Sequence, residues 1–459
     1  MLRGKGLLFC AVALVSLAIA PVALADPWLP HPADATWTYQ WTDTLYAPTP
    51  TSEKVTVKDQ KGAAFTLAWT TDGLSNPDGA VSSNGQVSFQ ETNSGLVNTD
   101  WTSTPPPAQF PVLCAAAAQC PNALSSVFYN VIWGSRNPVL DEPLLKGLAW
   151  AGTGGAQGDV AGVSTYLGTE PITIPAFPMP VTAAKIQTQI TQAGALGDPY
   201  GSGLRTTWWV YGVGPVKVEF LHAGGAPAAV TTAVLQSTNQ TPLSPPTDVD
   251  YFPLTKGLSL TYKWTNTKHL TKPEVQNFTV DAVANGSGRF TAKDVAKFLS
   301  PVSPIRMAGT YGFSKKLDGV VNLWGRTQSA TLLKFPPLGP AGAPPAKRNH
   351  FVTVFDLMTY GYNPIFPAYP AAGMTWSSVK PSLDFNTYGV TGQSKVLGLQ
   401  SVTVPAGTFQ ALVVRSTLTQ PGFPYGSGTR TSWFAPGKGL VKLVFAHGDH
   451  SVSTVVLLK

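Results

Sequence analysis

The chain has 459 residues and a net charge of +7, from 31 basic and 24 acidic residues. Charged residues make up 12% of the chain, about half the usual share, so acid–base catalysis by paired carboxylates has few candidates. The 44 glycines and 41 prolines interrupt nearly every window of helical length, which excludes a mainly helical fold.

The first 25 residues have the pattern of a secretory signal peptide. Arg3 and Lys5 precede an apolar run from Leu7 to Ala20, and Ala23-Leu24-Ala25 forms a small-residue cleavage site. We predict cleavage after Ala25, export to the cell envelope or beyond it, and a mature chain without a transmembrane segment. An uncleaved N-terminal membrane anchor is the alternative.

Cleavage would leave two cysteines, Cys114 and Cys120. In an oxidising compartment two cysteines this close are predicted to form a disulfide that closes a small loop. A zinc site is the alternative, but it needs about four ligands and neither a histidine nor a further cysteine lies nearby in the sequence. No cofactor is therefore predicted.

The chain repeats itself at an offset of 223 to 230 residues. YGSGLRTTWWVYGVGPVKVEFLH, from Tyr200 to His222, matches YGSGTRTSWFAPGKGLVKLVFAH, from Tyr425 to His447. WTYQWTDT at Trp37–Thr44 likewise matches LTYKWTNT at Leu260–Thr267. A steady offset over the full length indicates duplication of a whole domain. We predict copy 1 over residues 26–236, a linker rich in Pro, Ser and Thr over 237–248, and copy 2 over 249–459.

Each copy has the sequence pattern of β-strands. Trp37, Tyr39 and Trp41 alternate with polar residues, as in a half-buried strand, and the repeated passage predicts a three-stranded meander that closes each copy. Only Cys114–Tyr129 and Asp294–Leu299 have weak helical character. The predicted fold class is all-β, a tandem duplication of an antiparallel open-barrel or sandwich domain with long Pro/Gly-rich loops.

One stretch of copy 2 resembles a pattern common in exported bacterial β-domain families of unknown function. SVTVPAGTFQALVV, Ser401 to Val414, and SWFAPGKGLVKLVF, Ser432 to Phe445, carry VPAGTF followed by W-x-x-x-G-x-G-L-V-K. Such domains are similar in outline to the open barrels of lipoprotein carriers. The match covers about 45 residues of each copy and is degraded in copy 1, where IPAFPMPVTAAK replaces VPAGTF. The resemblance implies export, an open barrel and, by analogy, a lipid-like ligand.

The two copies differ in charge. Residues 26–248 contain 8 basic and 16 acidic residues, a net charge of −8, whereas residues 249–459 contain 21 and 8, a net charge of +13. Three interpretations stay open: drift on solvated surfaces, attraction between copies or chains, and binding of copy 2 to an anionic partner such as lipid headgroups or a cell-wall polymer. The scattered basic residues fit no nucleic-acid-binding module.

Three residue types that recur in both copies form the candidate ligand site. On adjacent strands an arginine, a tryptophan and a histidine could meet on one face as a cation–aromatic cluster; these residues are Arg205, Trp208, His222, Arg430, Trp433 and His447. The alternative is that they stabilise the meander. His447-Gly448-Asp449-His450 could also offer metal ligands, although a turn explains it equally well.

Two hypotheses for function follow, and both are non-catalytic. The first is a binder of an apolar or lipid-like ligand, which predicts an apolar pocket of roughly 300–1,000 Å³ per copy. The second is a structural or adhesive surface protein that uses its oppositely charged halves for self-association or for binding an anionic polymer, and its binding should weaken with salt. A hydrolase with an unrecognised site is a third hypothesis, which the few carboxylates disfavour.

Overall fold

The protein is described by a computed structural model over residues 27–45, 47–71, 84–103, 126–153, 160–192, 199–224, 228–247, 249–284, 287–293, 295–300, 303–328, 353–361, 364–377 and 390–459. These residues form two twelve-stranded antiparallel sheets, one from each half of the chain. The prediction of a duplicated all-β fold is confirmed. The signal peptide, Cys114 and Cys120 lie outside the described residues.

The first sheet is built by residues 36–238. Its strands are β1 Thr36–Asp43, β2 Ala47–Lys61, β3 Ala64–Thr71, β4 Asn84–Thr92, β5 Gly95–Ser103, β6 Leu140–Asp141, β7 Ala149–Thr153, β8 Val160–Ile172, β9 Val181–Gln192, β10 Gly203–Val210, β11 Gly214–His222 and β12 Val230–Thr238. Helix α1, Val127–Ile132, lies between β5 and β6 in the chain. β12 runs two residues into the predicted linker.

The second sheet is built by residues 259–457. Its strands are β13 Ser259–Asn266, β14 Leu270–Ala284, β15 Ser287–Lys293, β16 Val295–Ser300, β17 Ser303–Lys316, β18 Gly319–Gln328, β19 Thr375–Ser377, β20 Thr391–Val404, β21 Gly407–Thr419, β22 Gly428–Ala435, β23 Gly439–His447 and β24 Val452–Leu457. Helix α2, Val354–Thr359, occupies the place that α1 has in copy 1.

Each sheet is a meander that returns to its own first strand. The first has the order β6-β5-β4-β3-β2-β1-β12-β11-β10-β9-β8-β7. Its two end strands, β6 and β7, are consecutive in the chain, so the sheet curls into a nearly closed barrel. The second sheet repeats the pairing of first with last strand through β13 and β24, and β18 pairs with β17.

The inner face of each sheet is lined by the apolar residues of the alternating pattern. Trp37, Tyr39 and Trp41 of β1 are buried, and so are Tyr262 and Trp264 of β13. The polar residues between them point to the outer face, as the period-two pattern predicts. The predicted closing meander is present as β10–β12 in copy 1 and as β22–β24 in copy 2.

A short helix lies against the inner face of each sheet. All six residues of α1 are buried, and Phe128 makes ring contacts with Tyr39 of β1 and Phe89 of β4. Tyr129 of the same helix makes edge contacts with Trp69 of β3 at 5.4 Å. The helix therefore fills space against the inner face of these strands that an open barrel would leave empty.

The two sequence-based helix predictions had different outcomes. Helix α1 overlaps the predicted Cys114–Tyr129 only from Val127 onward, and residues 114–125 lie outside the described part of the chain. The second prediction, Asp294–Leu299, was wrong, because Val295–Ser300 is strand β16 and pairs with β17. Pairing with a neighbouring strand outweighed the weak helical preference of this segment. Helix α2 was not predicted.

The linker is anchored at both of its ends. The backbone N–H of Leu243 donates to the carbonyl of Tyr211 in copy 1 at 2.7 Å. Past the linker, the N–H of Gly437 donates to the carbonyl of Asp250 at 2.8 Å, which fixes the start of copy 2. Within the described residues no helix has the length and apolarity needed to cross a membrane.

Candidate functional site

The repeated Y-G-S-G passage builds a tight corner before β10 and β22. The second glycine of each, Gly203 and Gly428, has a positive φ, and an added Cβ would lie 2.1 Å and 2.0 Å from a backbone oxygen of the neighbouring strand. A side chain at either position would therefore both strain the backbone and clash with the sheet. Ser202 accepts a hydrogen bond at 2.8 Å from the N–H of Gln192, which ties the corner to β9.

The histidine of each repeat is buried beneath the same corner. In copy 1 the His222 ring stacks on Tyr200 at 3.9 Å, and its Nδ1 donates to the Tyr200 carbonyl at 2.6 Å. In copy 2 His447 stacks on Tyr425 at 4.0 Å and donates to its carbonyl at 2.6 Å. Both histidines therefore hold the corner in place from inside the sheet.

Burial decides the charge of His447. Desolvation lowers the pKa of His447 to about 4, so the ring is neutral at physiological pH and its Nε2 accepts from the Ser453 hydroxyl at 2.9 Å. In copy 1 the matching Nε2 lies 2.8 Å from Thr231, whose hydroxyl donates to Asp43. These buried groups satisfy one another within the fold.

The two arginines of the predicted site hold the ends of the internal helices. Arg205 of β10 is 2% exposed and donates to the carbonyls of Asn130 and Trp133 at the end of α1. Burial lowers the pKa of Arg205 to about 9. Arg430 of β22 donates in the same way to the carbonyls of Leu357 and Tyr360 at the end of α2. Both arginines satisfy carbonyls that lack partners within a helix.

The tryptophans of the predicted site lie on the other side of the sheet. Trp208 is opposite Lys217 and Lys185 in the strand register, and Arg205 is opposite Phe220. Residues 205 and 208 are an odd number of positions apart on one strand, so their side chains point to opposite faces. The structure thus brings each arginine and histidine together inside and places Trp208 and Trp433 on the outer face.

In copy 1 the charges around the outer tryptophan are balanced. The indole N–H of Trp208 donates to Glu170 at 2.6 Å, and Lys217 Nζ lies 4.6 Å from the ring centroid. Lys185 pairs with Glu170 at 3.2 Å and Lys217 pairs with Glu219 at 3.4 Å. Each lysine of this patch therefore has a carboxylate beside it.

In copy 2 the same patch has no carboxylate at the two equivalent positions. Lys442 Nζ lies 5.1 Å from the Trp433 ring centroid. In copy 1 the equivalent Lys217 Nζ lies 4.6 Å from the Trp208 ring centroid. The strand register places Gln400 where copy 1 has Glu170, and Val444 where it has Glu219. Copy 2 therefore has the tryptophan and one of the two lysines, with Val413 in the place of Lys185, and neither glutamate.

Acidic residues are absent from all six central strands of the described sheet of copy 2. The six adjacent strands β20, β21, β22, β23, β24 and β13, all within the described residues, contain no acidic residue. Four basic side chains point outward from them, and we call this set the basic face: Lys263, Lys395, Arg415 and Lys442. Arg430, the other arginine of these strands, points inward.

The members of the basic face lie close together in the sheet. Lys395 and Arg415 are directly opposite each other on β20 and β21. Lys442 and Lys263 are both opposite Val456 of β24, from its two sides. With strands about 4.8 Å apart, the four charges extend over roughly 24 Å of the sheet.

The basic face is a property of copy 2 alone. At the positions of Lys263, Lys395 and Arg415 the register of copy 1 has Gln40, Thr165 and Gln187. In the linear sequence these basic residues are scattered, and the net charge of each copy does not assign them to strand faces. Alternation along β13, β20, β21 and β23 was the signal that could have grouped them.

The His447-Gly448-Asp449-His450 segment is a turn between β23 and β24. His447 points into the sheet, whereas Asp449 lies 2.9 Å from His269, on the turn that follows β13. Burial opposes ionisation of Asp449, but hydrogen bonds from His269 and Ser451 lower its pKa to about 2. Among the described residues no group of three potential metal ligands converges, here or elsewhere.

Aromatic side chains fill the space around α1 inside copy 1. Rings from the sheet and from α1 pack against one another at 5 to 6 Å between centroids, with Trp101 and Tyr129 at 5.0 Å as an example. A cavity of about 20 Å³ lies elsewhere, between the two copies, and has room for about one water molecule. The apolar-ligand hypothesis therefore stays a prediction.

Comparison with known proteins gives no family for the chain. No protein-family model and no curated protein matches it. One similar solved structure is a protein from Bacteroides fragilis described as exported, with a YmcC-like fold: 13% identity, a TM-score of 0.24, and coverage of 46% of this chain and 98% of that one. Another, from Parabacteroides distasonis, is described as a lipoprotein: 13% identity, a TM-score of 0.24, and coverage of 47% and 99%. Similarity at this level does not identify a function.

Proposed function

We propose that the chain is an exported, non-catalytic protein that binds an anionic polymer of the cell envelope through the basic face of copy 2. The observation that carries this proposal is the run of six strands without an acidic residue, from which Lys263, Lys395, Arg415 and Lys442 project. Clustered charge of one sign attracts and retains a polyanion.

The comparison between copies supports binding over drift. Both copies have a lysine against an outer tryptophan, but only copy 1 has glutamates beside it. An unpaired lysine beside an indole ring can contact a sulfate, phosphate or carboxylate group while its stem covers the ring. The equivalent surface of copy 1, where each lysine is paired with a glutamate, is the natural comparison for binding.

Two of the described buried carboxylates have structural roles, which fits a non-catalytic protein. Glu53 accepts hydrogen bonds from Ser126 and from the N–H of Val127 at the start of α1. Asp356 forms a capping box with Thr353 at the start of α2. Glu53 and Asp356 each bind the start of an internal helix, and both are fully buried.

The test replaces the basic face with the residues of copy 1. The variant Lys263→Gln, Lys395→Thr and Arg415→Gln should bind immobilised dextran sulfate at least about tenfold more weakly than the unmodified chain, because clustered charge raises local counter-ion concentration by roughly 10- to 1,000-fold. Surface plasmon resonance at low and high salt measures the change, with neutral dextran as the reference surface.

A matched control removes the same amount of charge elsewhere. Lys256, Lys438 and Lys459 are exposed and lie outside the six strands, so changing all three to glutamine should weaken binding by less than about threefold. Equal losses in both variants would show that net charge alone drives binding and would contradict the proposed site. Binding of equal strength to neutral dextran would contradict the proposed function.

A further inference from the structure

The two copies touch through the same hairpin turn. The N–H groups of Leu317 and Asp318, in the turn between β17 and β18, donate to the backbone and side-chain oxygens of Asn93 at 3.0 Å and 2.9 Å. Asn93 lies in the turn between β4 and β5. Asn93 and Leu317 are equivalent residues, since each precedes by two the glycine that starts the next strand, Gly95 or Gly319.

A second pair of equivalent segments completes the contact. The N–H of Leu144 in copy 1 donates to the hydroxyl of Tyr369 in copy 2 at 3.1 Å. Pro143 and Pro370 from these segments line the same small cavity. The segments correspond at an offset of 226 residues, as Gly147 and Gly373 show. When one patch meets its own counterpart, the two bodies are related as in a two-fold dimer.

The contact carries a charge that its mirror image lacks. Lys316 Nζ lies 3.4 Å from Asp141 Oδ1, with the two side chains 22% and 5% exposed. At the equivalent positions the sequence has Thr92 in copy 1 and Pro367 in copy 2. The ion pair therefore forms only when copy 1 faces copy 2, and two identical copies would lack it.

We propose that this contact is a two-fold dimer interface retained after the duplication, in which copy 2 is the binding partner of copy 1 and the linker is not required for their association. The partner is thus a second copy of the same domain, and the Lys316–Asp141 pair makes it an unlike copy. This inference does not rest on the basic face, which lies on other strands.

The first experiment cuts the linker of the intact, folded chain. A protease site inserted between Pro246 and Thr247 lies beyond the anchored Leu243 and leaves both sheets whole. After cleavage we expect the halves to stay associated at low salt and about 10 μM protein, as a single species in native mass spectrometry. Separation into two folded halves under these conditions would overturn the proposal.

The second experiment tests the charge pair in the cut protein. Lys316→Glu would face Asp141 and should weaken association of the halves by about tenfold, and Asp141→Lys in the same chain should restore it. Lys438→Glu, at an exposed turn, is the control with the same charge change and should leave association unchanged. Equal weakening by the control, or no rescue by the double variant, would contradict the assigned pair.

A chemical cross-link tests the same ion pair in the unmodified chain, so its result does not depend on whether a variant folds. Carbodiimide joins an ammonium and a carboxylate only when they are in contact, so the unmodified chain should yield an amide between Lys316 and Asp141. Peptide mass spectrometry after digestion identifies it. Absence of this cross-link, while the Lys185–Glu170 pair at 3.2 Å is cross-linked, would contradict the interface.

Discussion

The sheet residue that accepts from the first N–H of the internal helix titrates in copy 1 and does not titrate in copy 2. At the start of α1 the acceptor is Glu53, and at the equivalent place before α2 it is Gln276, whose amide oxygen accepts from the N–H of Val354 at 2.9 Å. Burial raises the pKa of Glu53 to about 7, although hydrogen bonds from Ser126 and Val127 oppose the shift. Copy 2 makes the same contact without a titrating group.

Glu53→Gln should remove a pH dependence of stability. The folded pKa of about 7 lies above the ordinary value of 4.5, so the folded state holds its proton more tightly and stability falls as pH rises from about 4.5 to 7. Above this window the glutamine variant should be more stable by about 3 kcal/mol. Urea unfolding at a series of pH values measures the difference.

Copy 2 supplies the reciprocal control. Gln276→Glu should introduce a loss of stability over the same pH range, because it places a carboxyl group in an equivalent buried position. If both variants keep the pH profile of the unmodified chain, the carboxyl of Glu53 is not the group that titrates.

Residue-level prediction from the sequence succeeded where alternation is unbroken. Trp37, Tyr39 and Trp41 were assigned to the core and are buried there. The sequence-based hypothesis that Arg205 and Trp208 share one face differs from the structure, which places them on opposite faces. The sequence already indicated this, because two residues an odd number of positions apart on one strand point to opposite faces. What the sequence could not provide was the carbonyl partners of Arg205, because these lie about 70 residues away on α1.

At the level of elements, each internal helix is too short to be stable alone and is held at both ends. Six residues make fewer than two turns, well below the length at which isolated helices form. A polar side chain of the sheet binds the start of each helix, and an arginine of the sheet binds its end. The stability of each helix therefore depends on hydrogen bonds from side chains of its own sheet.

Arg205→Met should destabilise copy 1 by about 2–4 kcal/mol, because the carbonyls at the end of α1 would remain buried without donors. Arg415→Met, at an exposed position of copy 2, is the matched control and should change stability by less than about 0.5 kcal/mol. Differential scanning calorimetry measures both. A stable Arg205→Met variant would mean that the carbonyls find other donors.

Some elements were readable from the sequence and others required the fold. Thr353 and Asp356 have the spacing of a capping box, so the start of α2 had a local signal that the Pro/Gly-rich context obscured. Strand β16 had no such signal. Its assignment depends on pairing with β17, which local preference cannot reveal.

For the whole molecule, the aromatic packing around α1 leads us to expect a protein that purifies without a lipid in copy 1. We expect the mature chain, secreted and purified without detergent, to give the bare polypeptide mass in a native spectrum and no lipid on organic extraction. The aromatic packing around α1 occupies the space that an acyl chain would need there. Two bound apolar molecules per chain would instead support the apolar-ligand hypothesis.

The charge difference between copies was visible in the sequence, but its placement was not. Counting residues gives −8 and +13 without saying which charges share a surface. The register of six strands was needed to bring Lys395 beside Arg415 and to separate both from Arg430. Because the domain is duplicated, each residue of copy 2 can be compared with the equivalent residue of copy 1.

The anchored linker limits how far the two copies can move apart. Leu243 is held by copy 1 and Asp250 by copy 2, so seven peptide units connect the fixed points and span at most about 25 Å. A tether this short gives an effective concentration of one copy near the other on the order of millimolar or higher. Even a contact with a dissociation constant in the range of tens of micromolar would then stay closed in the uncut chain. Substitutions that separate the cut halves should consequently leave the intact protein assembled. The affinity between the copies can therefore be measured only after the linker is cut.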